Sequence, residues 1–159
     1  MKRIQVSIAD QRLRLFDQHG QVADWPISTA AAGPGEYEGS GCTPRGEHRI
    51  RACIGDGQPE GAVFVGRRPT GEIYSPELAL AFPDRDWILT RILWLCGCEP
   101  GLNRGGDRDS QRRYIYIHGT PDSEPMGAPR SHGCIRMRNT DLLELFAQVK
   151  AGTPVTIKE

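Results

Sequence analysis

Apolar and polar residues alternate almost from the first position. Ile4, Val6 and Ile8 lie on one side of an extended segment, and Arg12-Leu13-Arg14-Leu15-Phe16 repeats the period of two after a short break. Asp17-Gln18-His19-Gly20 reads as a turn, with His19 a solvated turn residue. Residues 21–28 return as a strand interrupted by Pro26, so the chain opens as an antiparallel meander. The same pattern predicts strands over 47–54, with His48 on the strand surface, and over 62–65. Ile88 to Leu95 is the most apolar run, and its length and branched side chains favour a buried strand, with a short helix as the alternative. Residues 74–86 hold two prolines, Pro76 and Pro83, and show no period.

Residues 112–117 form a further predicted strand, delivering His118 at its end. One segment has helical spacing. Leu142, Leu145, Phe146 and Val149 share a face, Asn139, Thr140 and Asp141 are competent caps, and Gly152 followed by Pro154 stops the helix. Val155-Thr156-Ile157 closes the chain as a strand. Two long stretches, 30–46 and 97–113, are predicted loops, the first a candidate cleft wall or a plain surface connection and the second a candidate lid or substrate wall, or a solvated insertion. The expected architecture is a single mainly β domain over 1–159 with one clear helix near its C-terminal end.

Composition sharpens this picture. Nineteen glycines and 12 prolines suit many turns and short strands. Lys+Arg and Asp+Glu balance at 20 each, which removes the electrostatic case for a nucleic-acid or anionic-membrane partner. No run of 18 apolar residues occurs, and Met1 leads directly into a strand without an apolar leader, so the expected location is cytoplasmic. Five cysteines, Cys42, Cys53, Cys96, Cys98 and Cys134, fit a reducing compartment. Cys96-Gly97-Cys98 lacks metal-site spacing, so no metal is expected. The oligomeric state is not readable.

The chemistry concentrates in Ser131-His132-Gly133-Cys134-Ile135-Arg136-Met137. A cysteine nucleophile needs a base for its proton and N–H donors for the developing oxyanion. Cys134 is the candidate nucleophile. His118 and His132 are both candidate bases, and His118 is preferred because catalytic partners are neighbours in space rather than in sequence. Arg136 suits a substrate carboxylate, or an ion pair within the protein.

These residues resemble the L,D-transpeptidase catalytic domain (YkuD-like) family. The resemblance rests on His118-Gly119-Thr120, the spacing of twelve residues to Ser131, and the Ser-His-Gly-Cys-Ile-Arg segment. Gln11-Arg12-Leu13, Ile27-Ser28-Thr29, Thr43-Pro44-Arg45-Gly46 and Gly152 to Ile157 resemble further landmarks, whereas Leu95 to Arg113 departs from the pattern.

The resemblance implies a β-sandwich-like fold and acyl transfer on peptidoglycan stem peptides. Cys134 would attack the carbonyl of the third-position diamino acid and release the terminal D-alanine. The thioester would then pass to water, giving a tripeptide, or to an amine, giving a 3→3 cross-link. His118 would be the base, Ser131 and His132 would position the groups, and N–H groups near Gly133 and Cys134 would hold the oxyanion. Arg136, Gly119, Thr120 and Arg104 are the candidate substrate contacts, and no cofactor is implied. The expected activity is a cytoplasmic L,D-carboxypeptidase acting on a muropeptide or stem tetrapeptide. Transpeptidation is the alternative, and a non-catalytic muropeptide-binding module or a metal-binding protein the remoter ones.

Overall fold

The computed structural model describes residues 1–159. It contains ten strands: β1 (Arg3–Ser7), β2 (Arg12–Asp17), β3 (Gly20–Ser28), β4 (Gly46–Ile54), β5 (Ala62–Val65), β6 (Arg68–Ile73), β7 (Ile88–Gly97), β8 (Tyr116–Gly119), β9 (Ile135–Met137) and β10 (Pro154–Lys158). Two α-helices, α1 (Pro76–Ala81) and α2 (Asn139–Phe146), and a short 3₁₀ turn at Gly106–Arg108 interrupt them. No helix is long and apolar enough to cross a membrane.

All ten strands belong to one sheet, in the order β4-β10-β1-β2-β3-β9-β8-β7-β5-β6. An additional β4–β7 pairing curls the sheet back on itself, so eight strands form a ring and the β5–β6 hairpin hangs off β7. The mainly β, sandwich-like expectation is therefore met by two facing walls of one continuous sheet. Ile4, Val6, Leu13, Leu15, Ile27, Leu93, Ile117, Ile135 and Val155 meet inside the ring, joined by Leu142 and Leu145 of α2. Each such side chain contributes about 1.5–3 kcal/mol on burial. The period-two pattern survives because an inward side chain must alternate with an outward one on a pleated strand.

Several expectations need correction. His48 is not on the strand surface. It is 1% exposed, its Nδ1 lies 3.0 Å from the Gly46 carbonyl and its Nε2 lies 2.8 Å from Ser110 Oγ. The strand before His118 starts later than expected, because residues 111–114 are a turn and Tyr114 has φ +56°. His118 consequently lies inside β8, followed by Gly119 within the same strand. None of the three expected cap residues caps α2. Arg138 occupies the cap position without a side-chain bond, and the helix ends at Phe146. Asn139 instead bridges two other elements: its Oδ1 accepts from Thr90 Oγ1 at 2.6 Å and its Nδ2 donates to the Thr120 carbonyl at 3.0 Å.

The 74–86 stretch hides a second helix, α1. Ser75 Oγ accepts from the Leu78 N–H at 3.1 Å, and Pro76 sits where its missing N–H costs nothing. The loop 30–45 is an ordered arm, bridged to the turn before Cys134 at Ala30–Ser131 and to itself at Pro34–Thr43. The 97–113 loop packs on the β4 side. The Asn103 amide donates to the carbonyls of Arg45 and Glu47, and Gly97 leaves no room for a Cβ against Asn103.

Candidate active site

Adjacent strands place register partners on the same face, and β8 and β9 run parallel with His118 opposite Arg136. One step before the recorded register, Tyr116 lies opposite Cys134, and the Tyr116 N–H donates to Cys134 Sγ at 3.3 Å. Tyr116, His118, Cys134 and Arg136 thus share one face and line one cavity of about 530 Å³. Arg67 from the β5–β6 turn, Asp86 from the segment before β7, and Arg113 and Tyr114 complete its walls, with His132 at the rim.

The turn carrying Cys134 is held from three directions. Ser131 Oγ donates to the Cys134 carbonyl at 2.5 Å and accepts from the Gly133 N–H at 3.2 Å. The Gly133 carbonyl accepts from Thr43 Oγ1 at 2.9 Å, and the same oxygen of Thr43 accepts from the Ala30 N–H at 3.0 Å. Gly133 sits at φ +131°, where a side chain would also press on the Cys42 carbonyl. The N–H of Cys134 is not among the bonds that close the turn.

His118 is 1% exposed. Its Nδ1 lies 2.6 Å from the Gly119 carbonyl. A carbonyl only accepts, so Nδ1 carries the proton and the neutral ring presents Nε2 as its basic atom. Burial pushes the imidazole below its usual range, although the Gly119 bond and Asp86 pull it partly back. The Cys134 thiol is half-buried at its surface and closely surrounded by protein. Burial, against the opposing pull of the Tyr116 N–H, pushes it up to about 12. Asp86 adds to the rise, and Arg136 and Arg113 oppose it. The resting pair is therefore neutral thiol and neutral imidazole. The thiol donates to the Tyr114 carbonyl at 3.3 Å rather than sharing its proton with a histidine.

The remaining expected residues separate into groups. His132 is 76% exposed and its ring lies 3.8 Å from Asp86. Arg136 is 8% exposed, and its guanidinium faces protein carboxylates, Asp86 and Glu124, each at 3.6 Å. Gly119 is a packing residue, because a Cβ there would strike the Asn139 side chain and the Leu89 carbonyl. Thr120 is buried outside the cleft walls, its carbonyl held by Asn139. Arg104 is not at this site. It lines a separate cavity of about 460 Å³ with Arg49, Arg51 and Cys96. Of the expected 97–113 lid, only the Arg112–Arg113 end reaches the neighbourhood of the thiol.

Asp86, Arg67 and Thr43 are the participants that pattern reasoning passed over. Asp86 follows a stretch without a period, and Arg67 sits at the tip of a short hairpin. Only the family landmark Thr43-Pro44-Arg45-Gly46 signalled one of them. A second opening, of about 440 Å³, reaches Cys134 between Glu38–Gly41 and Arg112–Ile115. Nowhere do three or more His, Cys, Asp or Glu side chains gather to hold a metal ion.

Comparison with known proteins bears on this geometry. The family model described as L,D-transpeptidase catalytic domain (YkuD) matches residues 1–157. The putative L,D-transpeptidase YkuD of Bacillus subtilis is 46% identical over 46 residues, 29% of this chain and 28% of that protein. The probable L,D-transpeptidase YbiS of Escherichia coli is 46% identical over 43 residues, 27% of this chain and 14% of that protein. These alignments span less than a third of either curated relative. Among solved structures, an L,D-transpeptidase from Xylanimonas cellulosilytica superposes on 99% of this chain and 60% of its own, with TM-score 0.62 and 18% identity. L,D-transpeptidase 3 from Mycobacterium tuberculosis, in complex with a faropenem-derived adduct, gives 0.60 and 16%, covering 99% of this chain and 60% of its own. At such identities the superpositions speak for the fold.

Proposed function

The chain belongs to the L,D-transpeptidase catalytic domain family, and from that membership and the Cys134 cleft we propose a cysteine acyl-enzyme acting on peptidoglycan stem tetrapeptides as an L,D-carboxypeptidase. One observation carries the reading. Cys134 and the basic Nε2 of His118 belong to diagonal neighbours on one face of paired strands, with the histidine tautomer set by Gly119.

The thiol swings from the Tyr114 carbonyl to His118 Nε2, which takes its proton as sulfur bonds to the carbonyl carbon of the third residue. The Cys134 N–H holds the oxyanion. The carbon–nitrogen bond then breaks, and the imidazolium returns the proton to the departing amine of D-alanine. Asp86 favours the imidazolium during its brief life. Water attacks the thioester, His118 relays its proton to sulfur, and the tripeptide leaves.

The second opening supports water as the acceptor. Arg112 and Arg113 outnumber Glu38 there, which disfavours a cationic amine and leaves water unaffected. Five free thiols fit a reducing compartment, and we propose a cytoplasmic role in muropeptide recycling. The second reading is transpeptidation, favoured by the room that same opening offers an acceptor. The test incubates the enzyme with a diaminopimelate-containing tetrapeptide and follows products by mass spectrometry. Tripeptide plus free D-alanine supports hydrolysis. Predominant 3→3 dimers, or exchange of D-alanine for another D-amino acid, would assign transpeptidation, and release of no D-alanine would refute both.

A further inference from the structure

Three guanidinium groups face the Cys134 cleft, and two are already engaged. Arg136 faces Asp86 and Glu124 and donates weakly to the Arg130 carbonyl at 3.4 Å. Arg113 is half-buried and donates to the carbonyls of Glu36 and Cys42 at 3.1 and 2.7 Å, so it fastens the 30–45 arm. Arg67 differs. No protein carboxylate lies within ion-pair distance, and its one hydrogen bond goes to Tyr116 Oη at 3.1 Å. Its guanidinium lies over two rings, 4.7 Å from the centroid of Trp94 and 4.9 Å from that of Tyr114. Stacking fixes the plane of a guanidinium while leaving edge N–H groups free to donate.

The support beneath Arg67 is itself built. Trp94 Nε1 donates to the Gln111 carbonyl at 3.1 Å, and Trp94 meets Tyr116 edge-on at 6.3 Å. Four non-glycine residues in the chain have left-handed backbone, and two of them, Arg67 at φ +64° and Tyr114 at φ +56°, meet in this stack. Such conformations are unfavourable for residues that carry a side chain, and they collect where function fixes one. Both tyrosines of the stack also touch the nucleophile, Tyr114 through its carbonyl and Tyr116 through its N–H. Tyr116 Oη accepts from Arg67, so its own O–H remains a donor beside the guanidinium.

We infer that Arg67, with the Tyr116 hydroxyl, is the receptor for the C-terminal carboxylate of the residue that leaves. The inference rests on the carboxypeptidase reading and sharpens its substrate class: peptides ending in a free carboxylate one residue beyond the attacked carbonyl. One residue of extended chain spans at most about 3.6 Å, so the carboxylate of a leaving residue must be met close to the thiol. Among the cleft's guanidiniums, Arg67 alone meets that requirement without first giving up a protein acceptor other than a phenol. Arg136, the reader expected from the motif, would have to leave two carboxylates.

The experiment compares a diaminopimelate-containing tetrapeptide with its C-terminal amide, in wild type, Arg67→Lys, Arg67→Ala and Tyr116→Phe. In wild type, amidation should lower kcat/KM by roughly 10–100-fold, the effect of losing hydrogen bonds to a charged group. Arg67→Ala should lose a similar factor on the free acid and little on the amide, with Arg67→Lys between them. Tyr116→Phe should show a smaller loss with the same preference. Matching thermal unfolding and matching rates of thiol alkylation in wild type and variants exclude a damaged fold. If amidation is neutral in wild type, or if Arg67→Ala loses equally on both substrates, this inference fails and the carboxypeptidase reading stands. If wild type releases no D-alanine from the free acid, both fail.

Discussion

Two histidines in this protein are buried to the same extent, 1% exposed each, and both sit on strands of one sheet. Both have their pKa lowered, first by burial. They differ by a single partner. Both nitrogens of His48 are engaged, one with the Gly46 carbonyl and one with Ser110 Oγ. His118 has only the Gly119 carbonyl, and its other nitrogen faces a cleft that holds a thiol. A satisfied ring joins two segments, whereas a ring with one free nitrogen can move a proton. Burial alone marks neither role, and the hydrogen-bond inventory does.

The largest effect should come from removing what His118 serves. Wild type should form a covalent adduct with a carbapenem, read by intact mass, and Cys134→Ala should abolish both that adduct and turnover, leaving His118 as idle as His48. Single alanine replacements of Cys42, Cys53, Cys96 and Cys98 should retain that adduct. Turnover by Cys134→Ala would break the comparison at its root.

Next in size, His118→Ala should slow acylation by roughly 10²–10⁴-fold, the range for a lost general base. His48→Ala should leave the acylation rate within a few fold and lower stability by about 1–3 kcal/mol, because Ser110 loses its buried partner. Rates measured by stopped flow and stabilities measured by urea unfolding separate the two. A large rate loss in His48→Ala would erase the distinction.

pH should show what the two rings share and where they part. Each is held neutral below the ordinary histidine pKa of about 6.5. As pH falls through that value the unfolded chain takes up protons that the folded chain does not. Stability should therefore be intact above about pH 6.5 and fall as pH drops toward the folded pKa values. His48→Gln should flatten that fall without moving the acid limb of the acylation rate, which belongs to His118. Since the resting thiol lies at about 12, alkylation of Cys134 by iodoacetamide should climb steadily from pH 7 to 10. A plateau near pH 8 would indicate a thiolate that this cleft does not provide.

The smallest effects test the periphery. His132→Ala should cost less than roughly 10-fold, since an exposed ring near Asp86 adjusts the field without handling the proton. Arg104→Ala should leave kcat/KM unchanged, its cavity being separate from the thiol. A defect larger than that of His132→Ala would return Arg104 to the substrate path.

Much of the chain was legible before folding, for a physical reason. Alternation in β1, β2 and β10 and the apolar run of β7 are local consequences of strand geometry, so the core residues Ile4, Val6, Leu13, Leu15, Val155 and Ile157 could be read directly. The Cys134 motif was equally local, because a tight turn with a positive-φ glycine and a hydroxyl that closes it is written in four consecutive residues. What pattern could not supply depends on pairing between distant segments. The burial of His48 follows from Ser110, sixty-two positions away, and Asn139 serves as a bridge to Thr90 and Thr120 rather than a cap. Arg136 meets Asp86 across a gap the sequence does not express, Arg104 lands at another cavity, and Arg67 finds its two rings. Periodicity reports which face of a strand turns inward. The partner that each polar atom meets there is set by register and sheet closure, and here those decided which histidine is a strut and which arginine is free.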